Sequence, residues 1–295
     1  MKAALLALAL ASGVMAAPAA AQPDSLADRV TVYSRDGHTV LLTDVVNAAA
    51  EADVVFLGEL HDDATAHAVQ AYLLQALHER VGRQRPLVLG LEMFETDVQG
   101  VLDEYAAGVI RERDFLAASR PWGNYAVDYR PLVEFAIANS IPVVATNAPH
   151  RYVSRVSREG GVDALEPLTP EARATMPPEI APASGPLAAK FRGLMGEMGS
   201  HGGAPGMPSL DGMLAAQNLR DATMAWALHG AMDGLDQPLA VHVNGSFHSE
   251  GGLGIPEHFA RIAPEARVVT VTMQPASGAA PPLGADDFVI LTPAR

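Results

Sequence analysis

The 295-residue chain contains no cysteine. That excludes disulfides, thiolate zinc sites, covalent c-type haem attachment and a lipidated amino-terminal cysteine, so stability must come from packing alone. Positive charge is scarce too: 20 Lys and Arg against 34 Asp and Glu give a formal net charge of −14. A chain this acidic is a poor general binder of nucleic acid or anionic lipid, and its partners are expected to be small molecules or metal ions. Long apolar runs are also missing. A membrane-spanning helix needs roughly 18 or more consecutive apolar residues, and nothing after residue 21 offers that.

The amino terminus does carry an apolar stretch, Ala3 to Val14, behind the positive Lys2; Ser12-Gly13 and Pro18 break it, and Ala19-Ala20-Ala21 precedes Gln22. This is the pattern of a secretory signal peptide cleaved near Ala21, and it predicts a periplasmic or secreted mature protein of residues 22–295. That length suits one large domain carrying an insertion.

Hydrophobic patterning gives the fold class. Thr31 to Tyr33 and Thr39 to Leu42 flank Asp36-Gly37, a hairpin turn signal. Asp53 to Leu57 is a short continuous apolar run, the mark of a strand buried on both faces of a parallel sheet. Asp62 and Asp63 then offer N-caps to a helix reaching Val81. Further strands are expected at 86–91, 141–145, 239–243, 268–272 and 288–291, alternating with helices at 96–106, 129–138 and 218–226. Alternation of this kind predicts an α/β fold with a mostly parallel central sheet flanked by helices. Residues 166–212 change to Pro, Gly, Ala and Met, with Met195, Met198, Met207 and Met213 around His201, and read as a smaller helical lid insertion. Thioethers bind soft metals and haem iron, but core or lid filler is the commoner use of methionine.

Polar residues follow the expected strands at one edge: Glu59 and His61 after the first, Glu92 after the second, Thr146-Asn147 after the third, Asn244-Gly245 and His248 after the fourth. Ligands of parallel sheets bind at the carboxyl ends of strands, and buried carboxylates and imidazoles are costly unless paired or ligated. Glu59 and His61, two apart in extended backbone, point the same way. They can serve an acid/base pair with Glu92, Asn147 and His248, or, with His248, hold a divalent metal such as zinc or manganese. The plainer alternative is that Glu59 caps a backbone amide and His61 rests on a carboxylate. His242, inside an apolar strand, reads as a core histidine; His67, His78, His150, His229 and His258 as surface or helix-end residues; Asp221 as structural.

From Arg120 to Arg158 five arginines stand against Asp128 and Glu134, among Trp122, Tyr125, Tyr129, Phe135 and Tyr152. Arg120, Arg130, Tyr125, Tyr129 and Tyr152 together suit an anionic planar ligand such as haem, because guanidinium pairs with carboxylate while rings stack on a flat apolar face. A solvated arginine face at i, i+4 and i+7 over an aromatic core remains the competing reading.

The motifs Val54 to His61, Glu92-Met93-Phe94, Arg120 to Tyr125, Asp128 to Leu132, Asn147-Ala148-Pro149, Ala216-Gln217 with Asp221 to Ala225, and Asn244 to His248 resemble the ChaN-like haem-binding uptake family, over roughly residues 30–273. The Gly-Glu-x-His and Glu motifs extend the resemblance to the superfamily of Tiki proteases and erythromycin-esterase-like enzymes. The resemblance implies haem binding in an iron-uptake setting by a homodimer holding two stacked haems, each iron on a tyrosine, with a partner histidine on a propionate. Tyr125, Tyr129 and Tyr152 are the tyrosines that stand for that ligand here. A metal-dependent hydrolase of peptidase or esterase type is the alternative, and a site that only binds a partner is a third reading.

Overall fold

A computed structural model describes residues 25–198, 208–277 and 286–294. The expected leader at 1–21, the Met198 side chain, His201 and Met207 lie outside what is described. The elements run β1 (Thr31–Ser34), β2 (Thr39–Val40), α1 (Leu42–Ala50), β3 (Val54–Glu59), α2 (Ala64–Val81), β4 (Leu87–Glu95), α3 (Gln99–Ala106), α4 (Glu112–Ser119), α5 (Tyr125–Asp128), α6 (Arg130–Ala138) and β5 (Val143–Asn147). They continue with α7 (His150–Glu159), α8 (Pro170–Arg173), α9 (Gly185–Met198), α10 (Leu210–Met232), β6 (Leu239–Gly245), α11 (Ile255–Ile262), β7 (Val268–Pro275) and β8 (Phe288–Thr292).

Eight strands form one sheet in the order β2-β1-β8-β7-β3-β6-β4-β5. β1 pairs antiparallel with β2 and β8, and every other pairing is parallel. The α/β architecture is therefore the one that strand-helix alternation predicts. Most strands run further at their carboxyl ends than their apolar runs suggest: Glu59, Asn147 and Gly245 remain in the ladder although they end the hydrophobic signal, and β4 continues through Glu92 to Glu95 across an irregularity in its pairing. β5 starts two residues later than expected. Pro142 has no N–H to donate, and only its carbonyl joins the sheet, accepting from Leu89 N at 2.9 Å.

The period of two sorts each strand between two faces. Val55, Leu57, Leu89, Leu91, Val241 and Val243 face a large core with α1, α2 and α6. Val54, Phe56, Val88 and Ala240 face a smaller core of Met224, Ala225 and Leu228 from α10, with Ile255 and Phe259 from α11. Asp63 caps α2, accepting from the backbone of Thr65 and Ala66 at 2.9 and 3.1 Å. In the region expected to be an insertion, α9 lies on α10 through Ala188, Phe191 and Leu214. No helix among the described residues is long and apolar enough to cross a membrane.

At Gly90 α10 comes close to the sheet. A Cβ there would stand 2.6 Å from Leu228 Cδ1 and 2.7 Å from His242 Cδ2. Gly90→Ala is expected to lower stability by about 1–3 kcal/mol through overpacking, read as a fall in the urea midpoint at unchanged slope.

Candidate functional site

β6 enters the sheet between β3 and β4, so the carboxyl ends of all three lie side by side, and Glu59 sits opposite Gly245 in the register. Strand parity then sends the two carboxylates to opposite faces. Glu59 follows Val55 and Leu57 toward α2; Glu92 follows Val88 and Gly90 toward α10.

The Glu59 carboxylate is fully buried and receives four donors. Tyr129 Oη donates to Oε1 at 2.6 Å and His61 Nδ1 reaches the same oxygen at 3.1 Å. Gln70 Nε2 donates to Oε2 at 2.7 Å, and His67 Nδ1 stands 2.9 Å from it. Burial alone would raise this carboxyl's pKa, but the hydrogen bonds from His61 and His67, the charge of His67 and the Tyr129 hydroxyl outweigh it, and the net shift is downward. His67 Nε2 continues the chain to Asp128 Oδ2 at 3.6 Å. Burial disfavours the His67 cation, yet its bond to Glu59 and the charges of Glu59 and Asp128 raise its pKa to about 9.

On the other face Glu92 Oε2 accepts from Gly245 N at 2.7 Å while Oε1 lies 3.2 Å from His248 Nε2. His248 Nδ1 is 2.5 Å from Asp221 Oδ1 on α10 and 2.9 Å from Gln217 Nε2. Burial works against the His248 cation, but the charges of Glu92 and Asp221 carry its pKa to about 10. Burial likewise works against the Glu92 anion, and His248, His61 and the Gly245 amide bring its pKa down to about 2.

His61 joins the two halves. Its ring lies so close over Gly245 that a Cβ there would be 2.8 Å from Cε1 and Nε2, and it meets Trp122 edge-on at 4.7 Å between centroids. Asn124 Nδ2 donates to its carbonyl at 2.8 Å. With 44% of its side chain exposed against none for Glu59, His61 is where solvent meets a buried array of alternating carboxylates and imidazoles.

Asn147 holds this edge through its amide, donating to Glu92 O at 3.1 Å and accepting from Arg220 at 3.1 Å. His242 is the core histidine expected, neutral because burial lowers its pKa to about 4, and bonded to Thr146 and Asn244. Other expectations change. His67 and His258 are buried rather than superficial, the latter with Nε2 2.9 Å from Asn218 Oδ1, and Asp221 is a partner of His248. The missed residues had a signal: His67 and Gln70 interrupt the apolar stripe of α2, and Asp221 interrupts that of α10, where an unpaired polar group would be costly. Among the described residues no three His, Asp or Glu side chains are arranged to hold a metal ion, and the expected zinc or manganese site at Glu59, His61 and His248 gains no support. Glu59 is taken up by its four donors, and both nitrogens of His248 by Glu92 and Asp221.

The basic aromatic segment divides. Tyr125 and Tyr129 are core residues, 2% and 0% exposed. Tyr125 packs between Phe94 and Phe115, and Tyr129 serves Glu59. Arg130 is gripped by Glu112. Arg120 bridges Glu95 and Asp97 at 2.8 and 2.5 Å, and Arg151 shares Asp97 while its guanidinium lies 4.4 Å over the Tyr152 ring. Tyr152 alone of the three tyrosines is partly exposed.

The two histidine shifts have a pH signature. His67 is raised from 6.5 to about 9 and His248 from 6.5 to about 10, so the stability they contribute is complete below pH 6.5 and is lost as pH climbs through those values. Glu92, lowered from 4.5 to about 2, contributes stability above 4.5 that is lost as pH falls toward 2. Urea midpoints are expected to fall with pH above 6.5, and His67→Gln is expected to flatten that decline while lowering the plateau.

Solved structures with this fold include ChaN of Campylobacter jejuni, described with cofacial heme binding: 17% identity, 89% of this chain and 96% of that one covered, TM-score 0.69. A mutant erythromycin esterase, EreC, in its open conformation shares 13% identity over 85% of this chain and 79% of that one, TM-score 0.46. A protein from Bacillus cereus shares 13% identity over 80% of this chain and 69% of that one, TM-score 0.43. At 17% identity the likeness to ChaN of Campylobacter jejuni is one of fold alone. No curated protein matches the sequence. The family model described as haem-binding uptake, Tiki superfamily, ChaN, matches residues 45–259, and the chain belongs to that family.

Proposed function

We propose that this chain is an exported haem-binding protein that handles haem in iron uptake, with Tyr152 as the iron ligand and Arg151 and Arg120 beside it. Family membership supports the ligand class. The observation that carries the ligand assignment is exposure: Tyr125 and Tyr129 are sealed in the core, whereas Tyr152 is partly open at the start of α7, under the Arg151 guanidinium. A phenolate on iron carries negative charge, and a cation over the ring offsets it. Arg120 and Arg151 are held in place by Asp97, side chains suited to a propionate. Haem supplies the redox-active iron when bound; the residues named bind and orient it. A homodimer with two haems face to face belongs to the same reading, as does a periplasmic or secreted location.

Titration of the protein with haemin is expected to give a saturable Soret shift. Tyr152→Phe should weaken binding by about tenfold or more, a loss of about 1.4 kcal/mol or more, and change the ligand signature in the visible bands. Tyr125→Phe should do neither. A linear, unsaturable response would end the haem reading; an unchanged Tyr152→Phe titration would end the ligand assignment.

A second reading rests on His61. An imidazole that is bonded to a buried carboxylate, stands half open to solvent and lies beside Glu92 is arranged to take a proton from water. The alternative function is hydrolysis of an ester or peptide. His61→Ala is expected to remove about 100-fold or more of any turnover on nitrophenyl esters, the usual scale of general-base loss. Turnover equal to buffer in the wild-type protein rejects this reading without touching the first.

A further inference from the structure

A large cleft of the described chain lies away from the polar site. It holds about 870 Å³ between α3, the edge strand β5 and the carboxyl half of α10. None of Glu59, His61, Glu92 or His248 lines it. Its floor is Ile141 to Ala145, buried except at Pro142, and its walls are small: Ala106 at the end of α3 and Ala107 after it, Ala227, Gly230 and Ala231 on α10, with Trp226 the single aromatic. The volume is that of a small-molecule pocket, about 300–1,000 Å³.

An open sheet edge invites another strand, but this one is already answered. Gln99 Nε2 donates to Val143 O at 3.0 Å and Gln99 Oε1 accepts from Ala145 N at 2.7 Å, the two bonds an incoming strand would make. Thr96 Oγ1 is likewise occupied, donating to Thr175 O at 2.6 Å. The polar groups of the wall are thus mostly satisfied by the protein. Charge of one sign is left on the wall: Asp103 and Asp233 are the charged residues of the lining, both exposed carboxylates, and Asp103 Oδ1 accepts from Gln99 Nε2 at 2.8 Å. Asp233 has His229 as a neighbour at 3.8 Å, but His229 is not part of the wall.

We propose that this cleft binds an apolar small molecule bearing one positive charge, an aryl or alkyl ammonium. The apolar body lies against the Val143–Ala145 floor and the alanines, the Trp226 ring offers a face to the cation, and Asp103 or Asp233 pairs with it. The dianionic edge of haem is the wrong charge for this place, so the two ligands occupy different sites.

The experiment compares naphthylmethylammonium with naphthylacetate, two probes of one ring system and opposite charge, on the full chain by calorimetry and tryptophan fluorescence. The cation is expected to bind roughly five- to tenfold more tightly, the scale of two exposed ion-pair contributions. Asp103→Asn with Asp233→Asn should bring the two affinities together. Gly230→Leu should abolish binding of both, since a Cβ at Gly230 meets nothing within 4 Å and the added side chain enters the cleft. That substitution also favours the helix, so the blocked protein should fold, and its urea midpoint reports this directly. Haemin titration of Gly230→Leu should match wild type; should haem fail to bind at all, the probe comparison stands on its own. Equal affinity for the two probes, no binding of either, or binding that survives Gly230→Leu overturns the proposal.

Discussion

A carboxylate with no exposed surface must be matched by donors, and the Glu59 carboxylate organises this molecule around that requirement. Its four partners come from three places: His61 from the loop after β3, His67 and Gln70 from α2, Tyr129 from the start of α6. Removing a buried ion from water costs several kcal/mol, so these elements are tied to one point by a shared need rather than by independent contacts. The docking of α2 and α6 on the sheet, the seating of Trp122 and Tyr129 and the aim of His61 follow from it.

The second carboxylate repeats the arrangement on the opposite face. Glu92 is matched by the Gly245 amide and by His248, which Asp221 fixes from α10. Because β6 enters between β3 and β4, the two half-sites end side by side, and Gly245 is the position that lets them meet. Any side chain there would strike the His61 ring. The outcome is an array in which anion and cation alternate, which keeps several ionised groups together under little or no solvent. Such an array can be structural, can move a proton, or can do both; only its His61 end is open.

The surface proposed for haem is separate from this array in its physics. It is built of exposed arginines sharing one aspartate and of a tyrosine at a helix start, where exchange with a ligand costs little. The buried array, by contrast, is closed by its own bonds.

Much of this was legible in the chain alone, for reasons particular to each element. Continuous apolar strands and the Asp63 cap report local requirements, and polar residues that follow buried strands must sit at a sheet edge whatever else happens, which is why Glu59, Glu92 and Asn147 could be placed. That Glu59 and Glu92 leave on opposite faces was not legible, since strands apolar on both sides do not reveal which face of one aligns with which face of the next; the pairing register sets it. Which partners they would find was not written locally. His67, Gln70 and Asp221 are separated from their carboxylates by a helix or by a crossover, and a histidine on a helix reads as superficial until the helix is docked. Tyr125 and Tyr129 read as ligand groups by type and became core by position, because α5 and α6 turn them under the sheet edge. Sequence determined the strands and the need for partners; tertiary packing decided the faces and the partners, since pairing a buried charge depends on distances that only the assembled sheet and helices set.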